Sequence, residues 1–197
     1  ANLCHKNNIK LIHISTDYVF DGKKKTPYIE ADSTNPINFY GLTKLRGEDC
    51  ILNYHLKNSL IIRTSWLYSH FKENFVKKIT KKLNHNENIY VVKEEIGSPT
   101  NAADLARLIM EIIPKLKNEY VEVYHFSNIG YCSRKEFVLK LKQLVNSNSN
   151  IILKDSYDNV QRPEFSALNC TKIYKKFNIF NYHWLESLEM HFKNDFI

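Results

Sequence analysis

The sequence predicts an α/β protein built on a parallel sheet. Two observations carry that reading: short β-rich apolar runs alternate with segments of helical period, and the runs are apolar enough to be buried on both faces. Neither an internal repeat nor a low-complexity linker interrupts the alternation.

Taken in order, residues 9–14 (Ile-Lys-Leu-Ile-His-Ile) read as the first buried strand. The eight residues before them read as the last turn of a helix and a polar connection, so the chain is expected to open within the alternation. Residues 21–37 carry Gly22, Pro27 and Pro36 and read as a long loop. Residues 39–57 follow a helical period, with Leu42, Leu45, Ile51 and Leu52 at its apolar positions. A strand is expected at 60–64 and a helix at 73–83, where Phe75, Val76, Ile79 and Leu83 share a face. After a strand at 89–92, residues 101–117 place Leu105, Leu108, Ile109, Ile112 and Leu116 on one stripe, capped by Thr100 or Asn101. Residues 121–126 are strand-like. The helix expected at 133–145 opens as a capping box, with Ser133 at the N-cap and Glu136 three residues on. A strand at 151–153 and two short C-terminal helices complete the pattern.

Composition bounds function. With 197 residues, 43% hydrophobic and 25% charged, collagen-like, disordered and disulfide-scaffold classes are excluded. The net charge of +7 invites a nucleic-acid reading. However, the basic residues are mostly lysines on candidate helix faces, such as Lys77, Lys78, Lys81 and Lys82, and a solvated face explains them better. Cys4, Cys50, Cys132 and Cys170 form no C-x-x-C pair and fit reduced cytoplasmic thiols. No apolar run reaches the ~18 residues of a membrane span, no signal peptide is evident, and no metal site is expected. The five glycines (Gly22, Gly41, Gly47, Gly97 and Gly130) form neither G-x-G-x-x-G, G-x-x-G-x-x-G nor a P-loop. The sequence therefore carries no glycine-rich phosphate cradle, and it begins at Ala1 rather than at a methionine.

The chemistry centres on Tyr40-x-x-x-Lys44. Four residues apart on a helix, the phenol and the ammonium share a face, and a cation held there favours the phenolate. Tyrosine then becomes a usable proton donor and acceptor. Upstream, Ser15-Thr-Asp-Tyr-Val-Phe-Asp-Gly22 follows the first strand, and the C-terminal ends of strands are where open α/β sheets bind ligands. A hydroxyl there can hydrogen-bond a carbonyl that the tyrosine protonates.

These residues, with Pro27-Tyr28-x-Glu30-x-Asp32, Pro36 and Tyr40-Gly41-x-x-Lys44-x-x-x-Glu48, resemble the extended short-chain dehydrogenase/reductase superfamily, most closely its dTDP-4-dehydrorhamnose reductase family. Arg63-Thr-Ser-Trp-Leu-Tyr68, Asn74-Phe-Val76, Gly97-Ser-Pro-Thr100, Asp104-Leu-Ala106, Tyr124-His-Phe-Ser-Asn128, Arg162-Pro163 and Leu168-Asn-Cys-Thr-Lys172 extend the likeness to nearly the whole chain. The resemblance implies a partial Rossmann-like, doubly wound parallel sheet with a smaller interleaved α/β substrate domain. Residues 1–68 would hold the C-terminal part of the dinucleotide-binding domain and the Tyr/Lys helix. Residues 69–197 would form the substrate region, with returning Rossmann elements near 100–128. The family's first part, with its glycine turn, has no counterpart here. The chain is therefore expected to be a fragment that by itself neither binds a dinucleotide tightly nor turns over.

By resemblance, Tyr40 protonates the C4 oxygen of a dTDP-linked 4-keto sugar as hydride arrives from NADPH or NADH. Lys44 contacts the nicotinamide ribose and tunes Tyr40, Ser15 adjoins the cofactor, and Thr16 polarises the carbonyl. Asp17 and Trp66 contact the sugar, Trp66 being equally compatible with a core tryptophan. Arg162 meets the nucleotide diphosphate, or else is a surface arginine before Pro163. The resemblance is to cytoplasmic enzymes and allows a homodimer; it gives no nucleic-acid or membrane partner. Two alternatives share the pattern: a non-catalytic regulatory chain resembling the β subunit of methionine adenosyltransferase, and another nucleotide-sugar epimerase or dehydratase. Thr64-Ser-Trp66 favours the reductase. A nucleic-acid module has only the charge in its favour.

Overall fold

The structure, a computed structural model, describes residues 1–93, 95–155 and 159–193. A short helix α1 (Asn2–Lys6) leads to β1 (Ile12–Thr16) and a 3-10 turn at Asp17–Val19. After the long loop come α2 (Phe39–Leu52), β2 (Leu60–Thr64), β3 (Leu67–Tyr68), α3 (Phe75–Asn84) and β4 (Ile89–Val92). Then follow β5 (Ile96–Gly97), β6 (Thr100–Asn101), α4 (Ala102–Ile112), β7 (Glu122–His125), β8 (Cys132–Ser133), α5 (Arg134–Leu144), β9 (Ile151–Lys154), α6 (Thr171–Phe177) and α7 (Trp184–Lys193).

The main sheet has the order β1-β2-β7 and is parallel throughout, as the apolar runs imply. Its register sets Thr16 beside Thr64, so both strands end at the same level. All five residues of β2, the central strand, are buried. Leu105, Leu108 and Ile112 of α4 pack against Leu60, Ile62, Tyr124 and Phe126, together with Phe165, Leu168, Ile173 and Phe177. A second cluster joins Val76, Ile79 and Leu83 of α3 to Ile89 and Val91 of β4, Phe137, Val138 and Leu141 of α5, and Trp184 and Leu188 of α7.

Three minor pairings fix the loops between these clusters. β4 runs parallel to β9 and β3 parallel to β6, while β5 pairs antiparallel with β8, Gly97 opposite Cys132. The two-residue strands escape the sequence pattern because they are too short to show a period.

Several boundaries move from the sequence expectation. The first strand starts at Ile12, since Ile9 stands 55% exposed. The helix expected over 39–57 ends at Leu52, which is exposed, and a turn then buries Leu56. In place of a continuous apolar face, α2 buries the carboxylate of Glu48. α4 stops at Ile112 and passes into a 3-10 turn holding Pro114, because proline cannot donate to the helix ladder. Its cap is Asn101, whose Oδ1 accepts from the Ala103 amide at 3.0 Å. The capping box forms: Ser133 Oγ accepts from the Glu136 amide at 3.1 Å, and Glu136 Oε2 accepts from the Ser133 amide at 2.7 Å. The lysines at 77, 78, 81 and 82 lie exposed along α3.

Candidate active site

At the C-terminal end of β1 the chain turns sharply. Thr16 caps the 3-10 turn, its Oγ1 accepting from the Tyr18 amide at 3.2 Å while donating to Asp17 Oδ1 at 3.1 Å. The turn buries Asp17 and leaves its Oδ2 without a hydrogen bond. Burial raises the Asp17 carboxyl to about 6, against the opposing pull of the Ser166 and Thr16 hydroxyls. Burial, helped by the nearby charges of Asp17 and Glu95, pushes the Tyr18 phenol up to about 12.

The helix α2 brings the second set of groups. Asn38 caps it, Oδ1 accepting from the Gly41 amide at 2.8 Å. A Cβ at position 41 would lie 2.1 Å from the Tyr18 carbonyl oxygen, so glycine is what lets α2 seat against the 3-10 turn. That seating stands Tyr40 edge-on to Tyr18, ring centroids 5.9 Å apart, with Tyr40 54% exposed. One turn on, Lys44 Nζ donates to the Ile14 carbonyl of β1 at 2.6 Å.

Beneath these groups lies a buried polar network. Arg63 of β2 grips Glu48 of α2 with Nε at 3.1 Å and Nη2 at 2.7 Å, and the Ser15 hydroxyl donates to the same carboxylate. Alternation along β1 explains the division: Thr16 faces the cleft, and Ser15 faces the helix.

Trp66 closes the cleft. Its backbone sits at φ +43°, in the left-handed region that disfavours a bulky residue. The neighbouring loop holds it there: Thr100 N donates to the Trp66 carbonyl at 3.2 Å and Ser65 Oγ to the Ser98 carbonyl at 2.6 Å. The indole lies against Gly97, where a Cβ would stand 2.4 Å from Cε2.

Thr16, Asp17, Tyr40 and Trp66 thus line one cleft, joined by Tyr18, Leu67, Tyr68, Phe75, Val76, Phe137 and Arg134. Three residues named from the sequence do not line it: Lys44, whose Nζ is turned to the Ile14 carbonyl, Ser15 and Arg162. Ser15 spends its hydroxyl on Glu48, away from the cleft. Arg162 lies outside the lining, with Nη1 donating to the Val160 carbonyl at 3.2 Å, although its charge is felt at Tyr18. Arg134 was not singled out from the sequence. A cation in the first turn of a helix opposes the helix dipole, and that misfit was the available signal. Among the described residues no cluster of His, Cys, Asp and Glu could hold a metal ion, and no helix is long and apolar enough to cross a membrane.

The residues fit the nicotinamide-ribose end of a dinucleotide, with an accessible phenol and an ammonium beside the strand end. The five glycines supply no turn for its pyrophosphate.

A parallel α/β sheet with Thr16 at a strand end, beside a helix carrying Tyr40 and Lys44, places the chain in the extended short-chain dehydrogenase/reductase fold. The family described as RmlD substrate binding domain matches residues 1–196, and the chain belongs to it. The chain is 34% identical over 190 residues to a dTDP-4-dehydrorhamnose reductase of Sinorhizobium fredii (strain NBRC 101917 / NGR234), covering 91% of this chain and 64% of that protein. It is 38% identical over 180 residues to the spore coat polysaccharide biosynthesis protein SpsK of Bacillus subtilis (strain 168), covering 90% and 62%. The crystal structure of dTDP-4-dehydrorhamnose reductase from Bacillus anthracis str. Ames in complex with NADP superposes with a TM-score of 0.89 at 34% identity, covering 97% of this chain and 68% of that one. The chain therefore spans somewhat less than two thirds of the length of these curated relatives.

Proposed function

We propose that the chain carries the catalytic and sugar-binding part of a cytoplasmic reductase that converts dTDP-4-dehydro-L-rhamnose to dTDP-L-rhamnose with NADPH. The observation that carries this reading is the placing of Thr16 and Tyr40 on one cleft at the strand ends, with Lys44 one helical turn beyond Tyr40. The Bacillus anthracis relative, solved with NADP, motivates the choice of cofactor.

The dinucleotide, when bound, supplies the hydride. Tyr40, on the open side of the cleft, gives its phenolic proton to the C4 oxygen, so the developing alkoxide is neutralised as it forms. Rotation of the Thr16 hydroxyl away from Asp17 Oδ1 aims a second donor at the same oxygen. Lys44, tethered to β1 through Ile14, keeps a positive charge beside the phenol. Asp17, with a pKa of about 6, is largely ionised at neutral pH and offers Oδ2 as an acceptor to a sugar hydroxyl, while Trp66 provides a flat apolar wall.

On the protein as the cell makes it, NADPH oxidation should require dTDP-4-dehydrorhamnose and yield dTDP-rhamnose. Tyr40→Phe should lower kcat by roughly 10²–10⁴-fold and leave affinity for the dTDP-sugar nearly unchanged. A wild type inert toward this substrate, or a Tyr40→Phe variant at full rate, would refute the assignment.

A further inference from the structure

Arg134 is the one cation in the cleft lining among the described residues, and its surroundings hold it rigidly. The guanidinium carbon lies 3.4 Å from the Trp66 ring centroid and 4.6 Å from that of Phe75. Only 8% of the residue is exposed. The antiparallel pairing of β5 with β8 brings it to Glu95: the Arg134 amide donates to the Glu95 carbonyl at 2.9 Å, and Nε and Nη2 meet Oε2 at 3.1 and 3.0 Å. That leaves Nη1 with no hydrogen bond among the described residues. A planar fork stacked on an indole loses little further freedom on binding, and Nη1, in the cleft lining and not sealed from solvent, can donate to a ligand acceptor at little added ordering cost.

The local charge indicates which acceptor. Glu95 neutralises the guanidinium, and Asp17 adds a carboxylate to the same cleft. A site without surplus positive charge is poorly suited to a diphosphate, which calls for several cations or helix amides. It suits a neutral polyol, which needs one donor, one acceptor and an apolar wall. Arg134, Asp17 and Trp66 supply those three.

We propose that Arg134 is a specificity-determining residue whose Nη1 donates to a hydroxyl of the substrate's sugar ring, an inference that rests on the reductase reading above. Glu95 sets the in-plane orientation of the fork, and the stack on Trp66 sets its tilt. The residue therefore ties the recognition of the sugar to the strained backbone at position 66.

The test is calorimetric titration of dTDP-rhamnose and of dTDP into the wild type, Arg134→Lys, and the double variant Glu95→Gln/Arg134→Met. Lysine keeps the charge and loses the fork, and the double variant leaves no lone buried charge, so a loss shared by both does not report unfolding. Affinity for dTDP-rhamnose should fall about tenfold or more in both variants, with affinity for dTDP unchanged within about twofold. Equal losses for the two ligands would assign Arg134 to the phosphates, and no loss for either would remove it from recognition; both overturn the proposal. A wild type that binds neither ligand defeats the reductase reading itself, and the proposal falls with it.

Discussion

At the scale of single residues, Asp17 has the most consequential environment. Its folded pKa of about 6 lies above the ordinary carboxylate value of 3.8, so the folded state holds a proton that the unfolded state has released. A raised acid contributes stability fully below its unfolded pKa and loses that contribution as pH rises through its folded pKa. Between about pH 4 and 6, Asp17→Asn should therefore gain stability relative to the wild type by about 1.4 kcal/mol per pH unit, read from urea unfolding at each pH. A flat difference would mean that the carboxyl is solvated. Thr16, Tyr40 and Lys44 could be picked out beforehand only by joining the Tyr-x-x-x-Lys spacing to the family resemblance, since the spacing alone is common on helices. Arg134 and Glu95 could not, since they lie 39 positions apart and meet only through a pairing two residues long.

At the scale of elements, the Glu48–Arg63 pair ties α2 to the central strand. Glu48 is fully buried in the middle of α2 and Arg63 lies on the central strand, their side chains 1% and 7% exposed. Removing one partner strands a charge in the interior, so Glu48→Ala should destabilise the protein by about 3–5 kcal/mol, and Glu48→Leu/Arg63→Met by far less. Chemical denaturation of the two variants checks this, and comparable losses would show that the pair is not what matters. The sequence led to an amphipathic α2 because leucines recur along it. The structure places Leu52 outside and Glu48 inside, a reversal that periodicity alone does not reveal. Strands fared better: 60–64 and 89–92 coincide with β2 and β4, because each centres on a short β-branched apolar run, although β4 exposes Tyr90 and β2 ends in the buried polar pair Arg63 and Thr64.

For the whole molecule, the buried groups act on one stability curve. His125, buried on β7, is held neutral with its pKa lowered to about 3, chiefly by burial and secondly by the Arg63 charge. A depressed base contributes stability fully above its unfolded value near 6.5 and loses it as pH falls toward the folded value. Its slope is opposite in sign to that of Asp17, and between about pH 4 and 6 the two cancel. His125→Asn should expose the Asp17 slope, with stability falling relative to the wild type by about 1.4 kcal/mol per unit as pH rises through that window; parallel curves for variant and wild type would disprove the pairing. The parallel α/β plan was readable from the alternation of runs and periods. The cancellation was not, because nothing in the order of residues states which histidine is sealed from water.

The placing of Trp66 also has an optical consequence. The chain has two tryptophans: Trp66, half-buried and lining the cleft, and Trp184, 6% exposed within the second cluster, each with its ring centroid near that of Phe137. On the proposed reading, a sugar entering the cleft would displace solvent around the first indole while the second stays in the core. Intrinsic emission therefore carries both a reporter of occupancy and an internal standard, without a label and without turnover.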